Sequence, residues 1–351
     1  LFRRLKGGLG MATVFANAIF AATTGASIAS ASVFTQVAVP EMLKMGYTPR
    51  FSVGVVAGSS VLGMLIPPSM LMILYGILTE SSIGDLFIAG IVPGIVLSVA
   101  YCLMIYVMAM RFPRMVISED HKTQDDSLMP MGELLRKLVP IMALIVVVMG
   151  GIYGGFFTAT EAGGIGAFGA LLMALARRSL TWQKFWHILT ETGQITAAIC
   201  FLFISAHIYA RMITVTGLPN ALEDLINVSE IGFIGLLAVY LIIIIILGTI
   251  LDAGSIMLIM VPIVIPLFIA MEASGVDIVS LTWIGVLTII GVEIGLLTPP
   301  LGIACFVIHN NLQDESITVG DIFRGAAPFA LMMFLVLILI VIFPQIALVL
   351  L

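Results

Sequence analysis

Charged residues fall in short islands along this chain, and the apolar runs between them are of two kinds. Phe51 to Leu78, the run from the Ser82-x-x-Asp85 motif to Arg111, Leu138 to Phe157, the run from Thr158 to Arg177, Thr192 to Thr216, Trp283 to Ile308 and Ala326 to Phe343 each suit one crossing of a bilayer, for which about 20 residues suffice. Two others do not. Gly7 to Pro40 has no charge and is too long for one crossing and too short for two complete ones, and Ile231 to Ala270, whose one charge is Asp252, is likewise overlong for a single crossing. Small residues occupy their middles, TTGASIASAS (Thr23 to Ser32) and GTILDAGS (Gly248 to Ser255). Such segments are poor interiors for one helix, so each run is predicted to be two half-helices meeting at a tip, a re-entrant hairpin. The alternatives are one long tilted span for the first run, and two full spans joined by a DAGS turn for the second.

Two crossings are interrupted where a helix should continue. GSSVLGMLIPP (Gly58 to Pro68) and GVEIGLLTPP (Gly291 to Pro300) each end in a double proline. Two adjacent prolines remove two backbone donors and push the preceding residue, Ile66 in the first copy, out of the α region. A helix broken at membrane depth is tolerated where its freed backbone is enclosed by protein or lines a cavity. Other local signals mark helix starts: Thr48 before Pro49, and a Ser or Thr three residues ahead of an acid at Ser82/Asp85, Thr158/Glu161 and Thr318/Asp321. Thr181 to Thr190, with Trp182, Phe185 and Trp186, reads as an amphipathic segment lying at the interface before the span from Thr192.

Composition agrees with this pattern. At 61% hydrophobic, 10% charged and a mean hydropathy of +1.20, the 351 residues describe an all-α polytopic membrane protein, so the net charge of −5 carries less meaning than where Lys and Arg fall. With both long runs folded as hairpins, every Lys and Arg except Arg211 lands on one side, read as cytoplasmic. The first hairpin then opens to the cytoplasm and the second to the outside. No basic stretch points to nucleic acid. Cys102, Cys200 and Cys305 lie in apolar runs without paired spacing, and the four histidines lack metal-ligand spacing, so no disulfide framework, metal site beyond Na⁺ or organic cofactor is expected.

The order of elements repeats: small-residue tip, Pro-Pro break, acidic cap, closing span. LIPPS aligns with LTPPL, and IGDLFIAGIVP with VGDIFRGAAP. Residues 1–111 are read as the first inverted repeat, 112–191 as a polar loop with connecting spans and the interfacial segment, and 192–351 as the second repeat. The second repeat has a span ahead of its hairpin that the first lacks, so the counterpart is expected upstream of Leu1 and the chain is read as N-terminally truncated. Inverted repeats with broken helices are the architecture of alternating access, with the site at the repeat interface.

Each tip and break exposes half-helix N-termini, which favour anions, and freed carbonyls and hydroxyls, which suit a hard cation. The candidate hydroxyls are on Thr24, Ser27, Ser30, Ser59, Ser60, Ser69, Thr249, Ser255 and Thr298. Asp252 and Glu293 are carboxylates within apolar stretches, where an unpaired charge is costly, so Na⁺ or H⁺ is the economical partner. Arg211 and His207, near the outer end of their span, are secondary candidates.

The runs GLGMATVFANAIFAATTGASIASAS, GMLIPPSMLMILYGILTESSIGDLFIAGIVPG, GGIYGGFFTATEAGGIGA, ILDAGSIMLIMVPIVIP and EIGLLTPPLGIACFV resemble the large membrane subunit of tripartite ATP-independent periplasmic (TRAP) transporters over nearly the whole chain. The resemblance implies an elevator-type transporter of the bacterial inner membrane, driven by Na⁺. Its cargo would be organic anions such as C4-dicarboxylates or sialic acid, handed over by a periplasmic binding protein, with a small membrane subunit alongside. It further implies that the tips and breaks carry the site. The expected cation ligands are Gly25, Ser27, Ser30, Ser60, Gly63, Thr249, Asp252, Gly254, Glu293 and Thr298. The expected substrate contacts are Thr24, Ser59, Pro67, Pro68, Ser69, Ser255, Pro299 and Pro300. A stand-alone dicarboxylate:Na⁺ symporter of similar build is the nearest alternative. A remote one is an intramembrane enzyme with Gly25-Ala-Ser27 as nucleophile turn and His207 as base, which lacks a third group to complete it. Transport measured on His207→Ala is expected to be unchanged; abolition would revive the enzyme reading.

Overall fold

The computed structural model describes residues 6–117, 131–218, 221, 232–273, 280–312, 314 and 316–351, and every regular element among them is a helix. Arg3, Arg4, residues 118–130 of the polar loop with Lys122 and, Glu272 apart, the acidic residues flanking the second long run lie outside the described residues. Among the described residues, six helices are long and apolar enough to cross a membrane: Pro49–Thr79 (taken with its break), Ile83–Arg111, Ala159–Ala176, Trp182–Thr216, Ala253–Glu272 and Val319–Ile342. The chain divides into two compact units, Leu1–Asp125 with Ile226–Leu351, and Asp126–Leu225.

The larger unit opens with α1 (Gly8–Thr24) and α2 (Ser27–Lys44), folded back on each other so that Phe20 and Phe34 meet edge to face at 5.6 Å. At 1.5 Å per residue each arm is about 25 Å long, short of the ~30 Å apolar thickness of a bilayer. The break is narrower than TTGASIASAS suggested: only Gly25 and Ala26 leave the helix, and Ser27 to Ser32 belong to α2. A serine weakens a helix when its hydroxyl competes for backbone groups. Here Ser27, Ser30 and Ser32 give their hydroxyls to Glu293, Asn17 and Asn311 instead.

The first discontinuous helix follows as α3 (Pro49–Ser60), the short α4 (Leu62–Leu65) and α5 (Met70–Thr79). Thr48 caps α3 through the Phe51 amide with Pro49 in its first turn, Ile66 is extended ahead of Pro67 as the pre-proline position demands, and Ser69 caps α5. Helix α6 (Ile83–Arg111) starts at Ser82, whose hydroxyl accepts from the Asp85 amide, and leads into α7 (Pro113–Val116).

In the smaller unit, α8 (Met131–Tyr153) begins earlier than the expected Leu138, and the Thr158/Glu161 capping box opens α9 (Ala159–Ala176) with both reciprocal bonds present. The segments read as an interfacial helix and a separate span are one helix, α10 (Trp182–Thr216). Gly193 is the one glycine between Trp182 and Thr216, and a single interior glycine costs only ~1 kcal/mol, too little to break a helix of this length.

The larger unit resumes with α11 (Phe233–Gly248), α12 (Ala253–Ala273), the second discontinuous helix α13 (Leu281–Leu296) and α14 (Ile303–Asn311), α15 (Val319–Ile342) opened by a Thr318/Asp321 capping box, and the short α16 (Gln345–Leu348). The order hairpin, broken helix, long helix therefore occurs twice, and the two sets trade partners. Arm α2 packs on α14 beyond the second break, and arm α12 packs on α5 beyond the first; likewise α15 packs on α3 and α6 on α13.

Small residues allow these crossings. A Cβ on Gly54 would sit 2.2 Å from the Gly325 carbonyl oxygen, and one on Gly325 would sit 2.1 Å from that of Arg50. At the α11–α13 contact, a Cβ on Gly295 would fall 2.4 Å from the Gly248 Cα. Close backbone approach supplies dispersion where hydrocarbon solvent removes the hydrophobic drive. The Arg50 Nε ties the start of α3 to Asp321 at the start of α15 at 2.6 Å. Gly325→Val must push α15 off α3, and a loss of about 2–3 kcal/mol is expected, seen as a lowered Tm of the purified protein; an unchanged Tm would refute the crossing.

Candidate functional site

The two hairpin tips rest on the two Pro-Pro breaks. Gly25, at φ +58°, presents its carbonyl to the Met70 amide at 3.4 Å, and a Cβ there would lie 2.9 Å from the Pro68 carbonyl oxygen. Only glycine meets both demands. In the second set, the Thr249 carbonyl accepts from the amides of Leu301 and Gly302, each at 3.1 Å. Both Pro-Pro peptide bonds, Pro67-Pro68 and Pro299-Pro300, are cis. Each tip therefore sits beside its break, as expected for hairpins that turn within the fold.

The first tip also reaches into the other half. Ser27 Oγ donates to Glu293 Oε1 at 2.9 Å, with Ser27 fully buried and Glu293 only 1% exposed. The second carboxylate oxygen of Glu293 is buried without a hydrogen-bond partner among the described residues, as is the Tyr101 hydroxyl, which lies within electrostatic range of Glu293. An open oxygen on a buried carboxylate is a high-energy feature that a small cation or a proton would relieve.

The other expected residues divide by what already occupies their polar atoms. Ser30 donates to Asn17 Oδ1, and Asn17 Nδ2 donates to Ser59 Oγ at 2.7 Å, a buried chain joining both arms of the first hairpin to α3. Ser60, Thr249 and Thr298 bond carbonyls of their own helices at 2.8, 2.7 and 2.7 Å. Ser69 donates to the Met64 carbonyl while capping α5. Thr24 bonds Phe20 and is exposed. Gly63 and Pro67 are buried, Pro68 half-buried, and Pro299 and Pro300 exposed.

Asp252 is not the unpaired buried acid that its apolar surroundings suggested. It is exposed at the second tip and caps α12, accepting from the Ser255 amide at 3.0 Å and its hydroxyl at 2.5 Å, with Gly254 beside it. A short acidic side chain at a helix start finds donors there, which the hydropathy pattern does not register. His207 and Arg211 are exposed on α10.

Two residues escaped sequence reasoning. Asn17 lies in an uncharged run and is fully buried, and Asn311 Oδ1 accepts from Ser32 Oγ at 3.0 Å and Gln36 Nε2 at 2.9 Å, joining α2 to α14. The available signal was an amide in an otherwise apolar helix, since a buried amide without partners is costly.

Broken crossing helices with hairpin tips seated on the breaks define a polytopic membrane transporter. The family model for the tripartite ATP-independent periplasmic transporter, DctM component, matches residues 1–346, and the chain belongs to that family. The C4-dicarboxylate TRAP transporter large permease protein DctM of Pseudomonas aeruginosa is 32% identical over 98% of this chain and 77% of its own length. The sialic acid TRAP transporter large permease protein SiaM of Vibrio cholerae is 31% identical over 100% and 79%, and the ectoine TRAP transporter large permease protein TeaC of Halomonas elongata 32% over 98% and 77%. The chain is thus a multi-pass inner-membrane permease subunit and not an enzyme.

Asn17→Ala removes the link between Ser30 and Ser59 and leaves their hydroxyls to rearrange in a buried site, so a loss of about 1–3 kcal/mol is expected. Thr24→Ala, at an exposed self-bonded position, should stay within ~0.5 kcal/mol. Thermal melting of the purified proteins compares them, and equal losses would contradict the assignment.

Proposed function

We propose that the chain is the large permease of a Na⁺-coupled uptake system for an organic anion, supplied by a periplasmic binding protein and completed by a small membrane subunit. The observation that carries the reading is the seating of both tips on both breaks, with the open oxygen of Glu293 beneath the first. Pairs of helix starts meet there: α2 with α5 at the first tip, α12 with α14 at the second. Their partial positive ends favour a carboxylate substrate, while nearby carbonyls and hydroxyls suit Na⁺. Glu293 and Ser27 are the favoured ion ligands, with Asp252 setting the field at the second tip.

The cargo follows from the relatives only as a class. Their names give C4-dicarboxylate, sialic acid and ectoine, so the substrate is best found as the ligand that copurifies with the neighbouring binding protein. Both hairpins and both breaks fall in one compact unit and α8–α10 in another, which supports an elevator in which the first unit carries the site across. The charge placement supports inverted repeats, with the first hairpin opening to the cytoplasm.

Uptake into proteoliposomes holding the complete three-component system tests this. Glu293→Gln keeps an acceptor for Ser27 and Asp252→Asn keeps a helix cap, so both should fold and insert as the parent does. Each is expected to lower Na⁺-stimulated uptake about tenfold or more, the effect of losing ~1.4 kcal/mol or more of ion binding. Full Na⁺ stimulation in either variant removes that residue from the ion site, and equal uptake by the parent with and without Na⁺ overturns the coupling.

A further inference from the structure

Arm α2 lies along the second broken helix and meets it at two places. At its start Ser27 bonds Glu293 on α13, and further along Ser32 and Gln36 both bond Asn311 at the end of α14. The Asn311 Oδ1 accepts from Ser32 Oγ at 3.0 Å and from Gln36 Nε2 at 2.9 Å, while its own Nδ2 donates to the Val307 carbonyl at 2.8 Å. One side-chain oxygen thus clasps the two helices. Beside it a cavity of about 290 Å³ follows the same seam, with Thr35, Gln36 and Val39 of α2 on one wall and Asn311 and Leu312 on the other. None of these residues is at a tip or a break.

The two sides of α2 are held differently. Toward α1 and α3 it is tied by the chain of Ser30, Asn17 and Ser59, all fully buried, where a broken bond leaves its groups without water to replace it. Toward α14 the clasp is partly open: Gln36 is exposed and Ser32 and Asn311 are half-buried, so water takes over each bond as it parts. Helix α14 is also only nine residues long and joins α13 through the Pro299-Pro300 break, with Gly302 at φ +48° ahead of it. A short helix attached in this way shifts about the residues at its end without unwinding a continuous helix. The seam with α14 is therefore the side that yields.

We infer that the seam between α2 and α14 is a gate with Asn311 as its latch, through which ion and cargo leave the site at Ser27 and Glu293 toward the side where Lys44 ends α2. Charge placement assigns that side to the cytoplasm. Release then takes a local opening within the unit that carries the site, in addition to any movement of that unit as a body. The inference rests on the transport function proposed above.

Ser32→Cys with Asn311→Cys, in a background of Cys102→Ala, Cys200→Ala and Cys305→Ala, lets a short reducible bis-methanethiosulfonate bridge the seam. Na⁺-stimulated uptake by the complete three-component system in proteoliposomes should fall about tenfold or more on bridging and return on reduction. In the same background Arg50→Cys with Asp321→Cys joins α3 to α15 within the same unit, and its bridged form should match its own reduced form. A second measurement needs no transport. Thr35→Cys, at a buried position on the seam, should react with a maleimide about tenfold faster once Asn311→Ala removes the clasp, the change that ~1.4 kcal/mol of lost hydrogen bonding makes. Undiminished uptake by the bridged Ser32/Asn311 pair, an equal loss in the bridged Arg50/Asp321 pair, or an unchanged labelling rate overturns the gate. Absence of Na⁺ stimulation in the untreated parent overturns the coupling instead, and the labelling rate then still decides the gate.

Discussion

A membrane helix interrupted by two prolines leaves carbonyl and amide groups that hydrocarbon cannot hydrogen-bond, and this structure depends on how those groups are met. In both halves the answer is a hairpin tip. The Gly25 carbonyl takes the Met70 amide and the Thr249 carbonyl takes those of Leu301 and Gly302, so each break is closed by the turn of a neighbouring hairpin. The hairpin needs the same contact, since its own turn would otherwise end unsatisfied at membrane depth. Each partner thus makes the other tolerable, and helix starts are gathered at two points inside the protein.

The exchange of partners between halves sets how these two points relate. Because α2 packs on α14 and α12 on α5, a shift at one tip is felt at the helix beyond the opposite break. The bond from Ser27 to Glu293 makes that relation direct, and the glycine contacts at Gly54 with Gly325 and Gly248 with Gly295 hold the crossing helices at backbone distance. A unit packed in this way moves as a body more readily than it deforms, as the proposed elevator would require.

Much of this was legible in the sequence because its causes are local. Double prolines, a Thr ahead of Pro49, and Thr three residues ahead of Glu161 and Asp321 determine breaks and starts through chemistry confined to one turn. The overlong runs predicted hairpins because bilayer thickness is fixed. Contacts between distant residues were not legible. Ser27 and Glu293 stand 266 positions apart, and no pattern in either run names the other. The serines after Ser27 looked like a loop because their partners, Asn17, Glu293 and Asn311, come from elsewhere in the fold. Asp252 looked unpaired because hydropathy does not register that Ser255 supplies its donors. The join between Trp182 and Thr216 was missed because a polar surface patch does not interrupt a helix.

The central claim is that both tips close both breaks at membrane depth, with Ser27 on Glu293 between the halves. An electron cryo-microscopy structure of the protein in lipid nanodiscs with Na⁺ measures this most directly. The account predicts Gly25 against Pro68 to Met70, Thr249 against Leu301 and Gly302, and the Glu293 carboxylate within hydrogen-bonding reach of Ser27, all within the apolar slab. Either tip lying at a membrane surface, apart from its break, would contradict it.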